Sequence, residues 1–347
     1  MTARSPHPMS ADKNELLRVR DLHTYFQTEE GTAKAVEGID FYIDEGETVA
    51  LVGESGCGKS VAAYSLLDLV PSPGAIQEGE ILFRGRDLRG LSKKEWRGLR
   101  GHEIAMVFQE PGSALNPVFS VGDQVAESIR LHLKLDRKKA RQKALELFEV
   151  VGIPSPEERL RAYPHELSGG MRQRVVIAMA IACDPLLLIA DEPTTALDVT
   201  IQAQILALFD RLQERLGLGL FLITHDLGIV AERADRVYVM YAGRIVESAP
   251  KEELFQNPRH PYTQALLRSL PENGTRGGRL QTIPGEVPDP LSWPSGCRFR
   301  ERCFLAREAC AVDVPALKSL SFDFTGGSAL RTEHRVACPY SKEALFE

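Results

Sequence analysis

The residues Gly53-Glu54-Ser55-Gly56-Cys57-Gly58-Lys59-Ser60 carry the spacing G-x-x-x-x-G-K-S. They follow the apolar run Thr48-Val49-Ala50-Leu51-Val52, which reads as a buried strand, and precede a helical pattern over Val61 to Leu69. In that context the glycines let the backbone curl until successive N–H groups point at one anion, helped by the positive end of the following helix. Lys59 is placed to reach the β- and γ-phosphates, and the Ser60 hydroxyl to ligate Mg²⁺. The stretch from Gly53 through Val61 is therefore expected to hold a nucleoside triphosphate. A glycine-rich turn with an incidental lysine would not require strand, loop and helix in this order.

Acids for the same chemistry stand at the end of Leu186-Leu187-Leu188-Ile189-Ala190, where Asp191 and Glu192 would lie at the C-terminal edge of a sheet. Asp191 is the natural Mg²⁺-holding carboxylate, and Glu192 is placed to polarise a water in line with the γ-phosphate. His225 follows the apolar run Leu218 to Ile223 and Thr224, and is expected to hydrogen-bond the γ-phosphate and the attacking water. Gln109 ends the strand-like "HEIAMVFQEP" and would complete the Mg²⁺ shell. A second anion nest, "LSGGMRQR" from Leu167 to Arg174, opens another helix. One nucleotide does not easily use two nests on one chain. Two chains can use both, if the second nest caps the nucleotide held by a partner.

These groups need elements to position them. The 347 residues suffice for roughly two domains. With 43% hydrophobic and 26% charged residues the composition is that of a globular chain with a sizeable core. The formal net charge of −6 argues against nucleic acid as the main partner. No apolar stretch approaches the roughly 20 residues that span a bilayer, and the start lacks a signal-peptide core, so residues 1–14 are read as a frayed tail of a cytoplasmic protein. Residues 15–52 alternate as antiparallel strands do. "GEILFRGRDL" and "RVYVMYAGRIVE" read as hairpins, the latter turning at Ala242-Gly243. From Ser120 to about Leu160 the pattern is helical, with Leu145, Phe148 and Val151 on one face and "RKKARQK" on a solvated one. Strands alternating with helices imply an α/β fold with a mainly parallel sheet. After about Pro250 prolines become dense and periodicity fades, which places a domain boundary there.

Cys57 and Cys183 read as small packed side chains. Cys297, Cys303, Cys310 and Cys338 cluster in the last fifth of the chain, and four thiols in a cytosolic protein point to a metal centre. Zinc sites favour short C-x₂₋₄-C steps, whereas these gaps are five, six and twenty-seven residues. Wide loops can wrap a bulky cubane and four thiolates can hold a [4Fe–4S] centre, so that group, zinc and reduced free thiols all stand as readings of the residues themselves. His334 reads as a surface residue rather than a ligand.

Taken together, GESGCGKS, Gln109, LSGGMRQ, LLLIADEP, "TALD" (Thr195 to Asp198) and His225 resemble the nucleotide-binding subunit of an ATP-binding-cassette (ABC) transporter, over residues 15 to about 250. The resemblance implies a P-loop ABC ATPase core, made of a mainly parallel sheet and an antiparallel β subdomain. It also implies that Phe26, or its neighbour Tyr25, stacks on adenine. Ser168, Gly169 and Gly170, with Gln173 of the same motif, would serve the partner's nucleotide, and Asp198 would lie at the dimer seam. A helical subdomain at about 110–165 would dock on membrane subunits, with Gln109 as its hinge. The tail phrases "NPRHPYTQALLRSLP", "IPGEVPDP" and "GCRFRERC…C…HRVACPY" resemble the C-terminal extension of the oligopeptide/dipeptide branch of bacterial importers. Membership in that branch implies peptide uptake driven by ATP, with nickel chelates or modified peptides as other substrates of the same branch. It further implies a second, paralogous ATPase, two membrane permease subunits and an extracytoplasmic binding protein. Residues 251–347 would then form a small irregular extension that binds metal, the resemblance favouring a [4Fe–4S] cluster on Cys297, Cys303, Cys310 and Cys338 over zinc, and the chain would sit peripherally on the cytoplasmic face of the membrane. A cassette ATPase acting on DNA or the ribosome is the rival from another class; the single cassette, the short insert and the acidic balance speak against it.

Overall fold

The computed structural model describes residues 14–195, 197–270, 282–320 and 333–342. Residues 1–13, and with them nearly all of the expected frayed tail, lie outside the described residues, as do Ala196 of "TALD" and Pro271.

The first two long strands, β1 (Glu15–Thr28) and β2 (Gly31–Asp44), pair antiparallel. The next, β3 (Thr48–Val52), leads into helix α1 (Lys59–Leu66). After it come β4 (Gly74–Phe83), β5 (Arg86–Asp87), α2 (Lys93–Leu99) and β6 (Ile104–Val107). A helical region follows: α3 (Pro111–Ala114), α4 (Val121–Leu133), α5 (Arg137–Val150), α6 (Pro156–Arg159) and α7 (Gly169–Ala180). The chain then alternates β7 (Leu187–Asp191), α8 (Val199–Leu216), β8 (Gly219–Thr224), α9 (Leu227–Arg233), β9 (Arg236–Tyr241) and β10 (Arg244–Pro250). Beyond Pro250 lie α10 (Lys251–Gln256), α11 (Pro261–Arg268), β11 (Lys318–Ser319) and β12 (Arg335–Val336).

Two sheets result. One is antiparallel, in the order β2-β1-β4-β5; the other has eight strands in the order β11-β12-β10-β9-β3-β8-β7-β6. Five neighbours in the second sheet, β9, β3, β8, β7 and β6, run parallel. Every residue of β3, β7 and β8 is buried, as a strand covered on both faces requires, and this is why these runs are continuously apolar rather than alternating. The antiparallel expectation for residues 15–52 therefore holds as far as Asp44, while Thr48–Val52 belongs to the parallel sheet. Both hairpins form. The β9–β10 turn has Ala242 at φ 46° and Gly243 at φ 80°, the pair of positive values that a two-residue turn matched to strand twist needs.

Helices α4, α5 and α7 pack on one another. Phe148 and Val151 are buried in this layer and Leu145 is half-buried, while the basic run of α5 is mostly exposed. Two boundaries differ from the sequence pattern. Helix α1 runs from Lys59 to Leu66, opening directly after Gly58 at φ 105° and stopping before Asp68, whose φ of 50° is not helical. Strand β6 stops at Val107, so Gln109 lies two residues past the strand, in the connection to the helical layer.

Among the described residues after Pro250, the buried apolar side chains join the core of the preceding chain. Tyr262, Leu267 and Phe299 share one buried cluster with Ala50, Val52 and Tyr241, and β12 extends the main sheet through Glu247 and Ser248. His334, expected at the surface, is 2% exposed. Its Nε2 lies 2.7 Å from Glu247, a fully buried carboxylate on β10 that also accepts the backbone N–H groups of Arg259 and His260. A buried carboxylate needs such partners, which is why this histidine is drawn inward. Among the described residues no helix is long and apolar enough to cross a membrane.

Candidate functional site

The loop between β3 and α1 is shaped by close backbone approach. A Cβ on Gly53 (φ 154°) would stand 2.2 Å from the Met240 carbonyl oxygen, and one on Gly58 (φ 105°) 2.3 Å from that of Ala35. Only glycine fits at either place. Lys59 is 4% exposed, and its Nζ donates to the carbonyls of Gly53 (2.8 Å) and Glu54 (2.9 Å). The ammonium is thus held over the mouth of its own loop by oxygens that phosphate oxygens can replace.

The Ser60 hydroxyl donates to Asp191 Oδ1 at 3.1 Å. The other oxygen, Asp191 Oδ2, is buried without a partner among the described residues, and burial raises the carboxyl above its usual range. An orphaned carboxylate oxygen beside a hydroxyl is a donor set that suits Mg²⁺, a hard cation bound through oxygen. These two residues fit the ion expected from the sequence.

Glu192 follows at the strand end with φ 44°, its N–H bonded to Ile223 O at 2.9 Å. Its Oε2 accepts from Gln109 Nε2 (3.0 Å) and from the Thr195 hydroxyl (2.9 Å), and His225 Nδ1 lies 3.2 Å from Oε1. Burial alone would raise this carboxyl. The Thr195 and His225 hydrogen bonds, with the charges of His225 and Lys59, outweigh it and hold the group below the usual range. The lowered value favours the carboxylate form, which offers its oxygens as acceptors at the strand end. Among the described residues Gln109 has no hydrogen bond to Ser60 or Asp191; its bond is to Glu192. Thr195 carries no role in the sequence reading. Its signal is a hydroxyl three residues beyond Glu192, where the turn returns it to the carboxylate.

Ser168 caps α7, accepting from Met171 N, and together with Gly169 it is exposed. Gly170 lies against Ile201. No hydrogen bond among the described residues joins this nest to Gly53–Ser60. Gln173 departs from expectation: it is 1% exposed, with Nε2 buried and unpartnered. The helical period puts position 173 on the inner face with Val176 and Ile177, so it does not face a nucleotide with the nest. Asp198 is exposed and caps α8, accepting from Ile201 N at 2.9 Å. Tyr25 and Phe26 are both half-buried on β1. The Tyr25 hydroxyl lies 2.9 Å from His23 Nδ1 and its ring lies under the Lys34 ammonium, while the Phe26 ring fills the space beside Gly74.

The four late cysteines are free thiols that line one small cavity with His260, Phe299 and Tyr340. Burial, with smaller contributions from the neighbouring thiols, pushes Cys303 and Cys338 up to about 11 and raises Cys297. No three of their sulfurs lie within 4.8 Å of one another. A tetrahedral zinc with Zn–S near 2.3 Å would hold sulfurs about 3.8 Å apart.

Residues 36–195 match the ABC transporter family, and residues 246–310 match the oligopeptide/dipeptide transporter C-terminal region. The chain is 53% identical over 333 residues to a dipeptide transport ATP-binding protein of Bacillus subtilis, covering 95% of this chain and 99% of that protein. It is likewise 53% identical over 308 residues to an oligopeptide transport ATP-binding protein of the same organism, covering 88% and 86%. Among solved structures it is similar to the dimeric ATP-binding cassette MJ0796 bound to ADP and Pi, with a TM-score of 0.62 and 26% identity over 68% of this chain and 99% of that one. With the P-loop, the Ser60–Asp191 pair and the Glu192 cluster assembled at one sheet edge, the chain belongs to the ABC transporter family, as an ATPase subunit of the branch that carries the oligopeptide/dipeptide transporter C-terminal region.

Proposed function

We propose that this chain binds and hydrolyses ATP to drive uptake of di- and oligopeptides through a membrane importer. The observation that carries the chemistry is the Glu192 carboxylate, held by Gln109, Thr195 and His225 beside the Ser60–Asp191 pair. Glu192 accepts the proton of the attacking water, and Lys59 leaves its loop carbonyls for the phosphates. Ser60 and Asp191 would hold Mg²⁺, which would supply charge neutralisation at the phosphate oxygens. Gln109, bonded to Glu192 here, would join that shell only if it released the carboxylate.

Ser168 and Gly169 are exposed, and among the described residues no hydrogen bond joins the Ser168-Gly169-Gly170 nest to the chain's own P-loop, which supports its use on the nucleotide of a second ATPase, a paralogue, with Asp198 at the seam. Phe26 or Tyr25 receives the adenine. The helical subdomain meets two permease subunits at the cytoplasmic face of the membrane, where the chain sits peripherally, and an extracytoplasmic binding protein delivers the peptide. Residues 15–250 form the nucleotide-binding domain and residues 251–347 the extension. Cys297, Cys303, Cys310 and Cys338 hold a [4Fe–4S] cluster there; the wide spacing of the sulfurs around a shared cavity supports it over zinc.

Uptake of labelled di- and oligopeptides by cells lacking the gene, complemented with the wild type or with Glu192→Gln, tests the reading. Rescue of peptide uptake by the wild type alone is the expected result. Rescue of nickel-chelate uptake without peptide uptake would overturn the substrate, and failure to rescue any uptake would overturn the transport role.

A further inference from the structure

We propose that Tyr262 and Arg302, both contributed by the chain beyond Pro250, are positioning residues of the P-loop that set nucleotide affinity by clamping Glu54. The proposal rests on the reading of Gly53–Ser60 as the ATP site.

Glu54 is the second residue of the loop, and every polar part of it is engaged. Its backbone N–H donates to the Tyr262 hydroxyl at 2.9 Å, on a side chain that is fully buried. Its carboxylate receives both terminal nitrogens of Arg302, at 2.7 and 2.9 Å. Its carbonyl accepts from Lys59 Nζ. Arg302 in turn donates Nε to Pro284 O at 2.8 Å and lies against Tyr241, so its fork has one orientation, and only 9% of the residue is exposed.

A second anchor reaches the far side of the loop. Arg298, also buried, donates to the Ala242 carbonyl and to Glu37. The adjoining Gly243 N–H donates to Cys57 O at 2.9 Å, and its carbonyl accepts from Glu37 N. Both arginines lie between Cys297 and Cys303, so whatever fixes that segment fixes the clamp.

Two physical consequences bear on nucleotide binding. An unpaired Glu54 carboxylate beside the loop would repel a triphosphate, and the bidentate guanidinium neutralises it. Tyr262 also pins the first turn of the loop through a backbone donor, so the remaining N–H groups keep one curvature before any phosphate arrives. A lysine in place of Arg302 keeps the charge and loses the fork.

The test uses the full-length chain, with iron and sulfide content measured on each variant as a control for the thiol site. Tyr262→Phe, which keeps the packing, should raise the ATP dissociation constant about fivefold, the loss of one hydrogen bond. Arg302→Gln should raise it about tenfold or more, and Arg302→Lys by an intermediate factor. In the assembled transporter KM for ATP should rise with these substitutions while kcat stays near wild type. In a Glu54→Gln background, Arg302→Gln should add little, because its action passes through that carboxylate. Unchanged ATP affinity in folded Arg302→Gln and Tyr262→Phe proteins, or fully additive effects in the double variant, would overturn the clamp. Lys59→Ala separates the two readings: if it weakens ATP binding while the clamp variants do not, the site stands and the clamp alone fails. If Lys59→Ala has no effect, the site reading itself fails.

Discussion

Ser60 and Asp191 stand 131 positions apart in the chain, yet the serine hydroxyl donates to Asp191 Oδ1 at 3.1 Å while Oδ2 beside it is buried without a partner among the described residues. A buried carboxylate left half-satisfied destabilises the nucleotide-free chain. Asp191→Asn should therefore stabilise that chain by about 1–2 kcal/mol in denaturant titrations with chelator present. Because burial raises the carboxyl, protonation favours the folded state, so the wild type gains as pH falls through that raised value and the gap to the variant narrows. The same variant should lose the dependence of ATP affinity on Mg²⁺. A variant less stable than wild type at neutral pH, or one with undiminished Mg²⁺ dependence, would contradict the assignment.

Glu192→Gln keeps the shape of the side chain and removes the charge that takes the proton. Turnover in the assembled transporter should fall about 10²–10⁴-fold, with the ATP dissociation constant of the isolated chain within a factor of about two of wild type. Steady-state hydrolysis near the wild-type rate would remove Glu192 from the catalytic role.

Ser168 and Gly169 are open to solvent, and among the described residues no hydrogen bond joins them to the chain's own loop. Ser168→Arg should block hydrolysis in the assembled pair of ATPases while leaving ATP binding to the isolated chain unchanged. Calorimetry on the isolated chain decides the matter: a weakened affinity there would mean that the nest serves its own nucleotide.

For the thiol site, protein purified without oxygen should be brown, with iron and labile sulfide near four each per chain. Cys303→Ser should bleach it and make the chain beyond Pro250 sensitive to protease, since a bound group held by four of its side chains contributes to its folding. A colourless protein carrying one zinc would replace the cluster with zinc, and a metal-free wild type with a protease-resistant tail would remove the metal site altogether.

The site motifs are legible in the chain because they are local. G-x-x-x-x-G-K-S, the Asp191–Glu192 pair after five apolar residues and the Ser168-Gly169-Gly170 nest each place their donors within a few residues of one another, where strand and helix periods alone set direction. Continuous apolar runs likewise announced the parallel strands. What the spacing could not supply is what distant segments bring to each residue. Gln173 belongs to the nest by sequence and to the core by helix period and packing. His334 looked like a surface residue until the buried Glu247 carboxylate claimed it. Gln109, Thr195 and His225 become one group only when β6, β7 and β8 lie side by side and direct their ends at Glu192. Arg302 meets Glu54 across 248 positions. Each of those pairings is set by which buried polar groups must find partners once the core closes, and that requirement exists only in the folded chain.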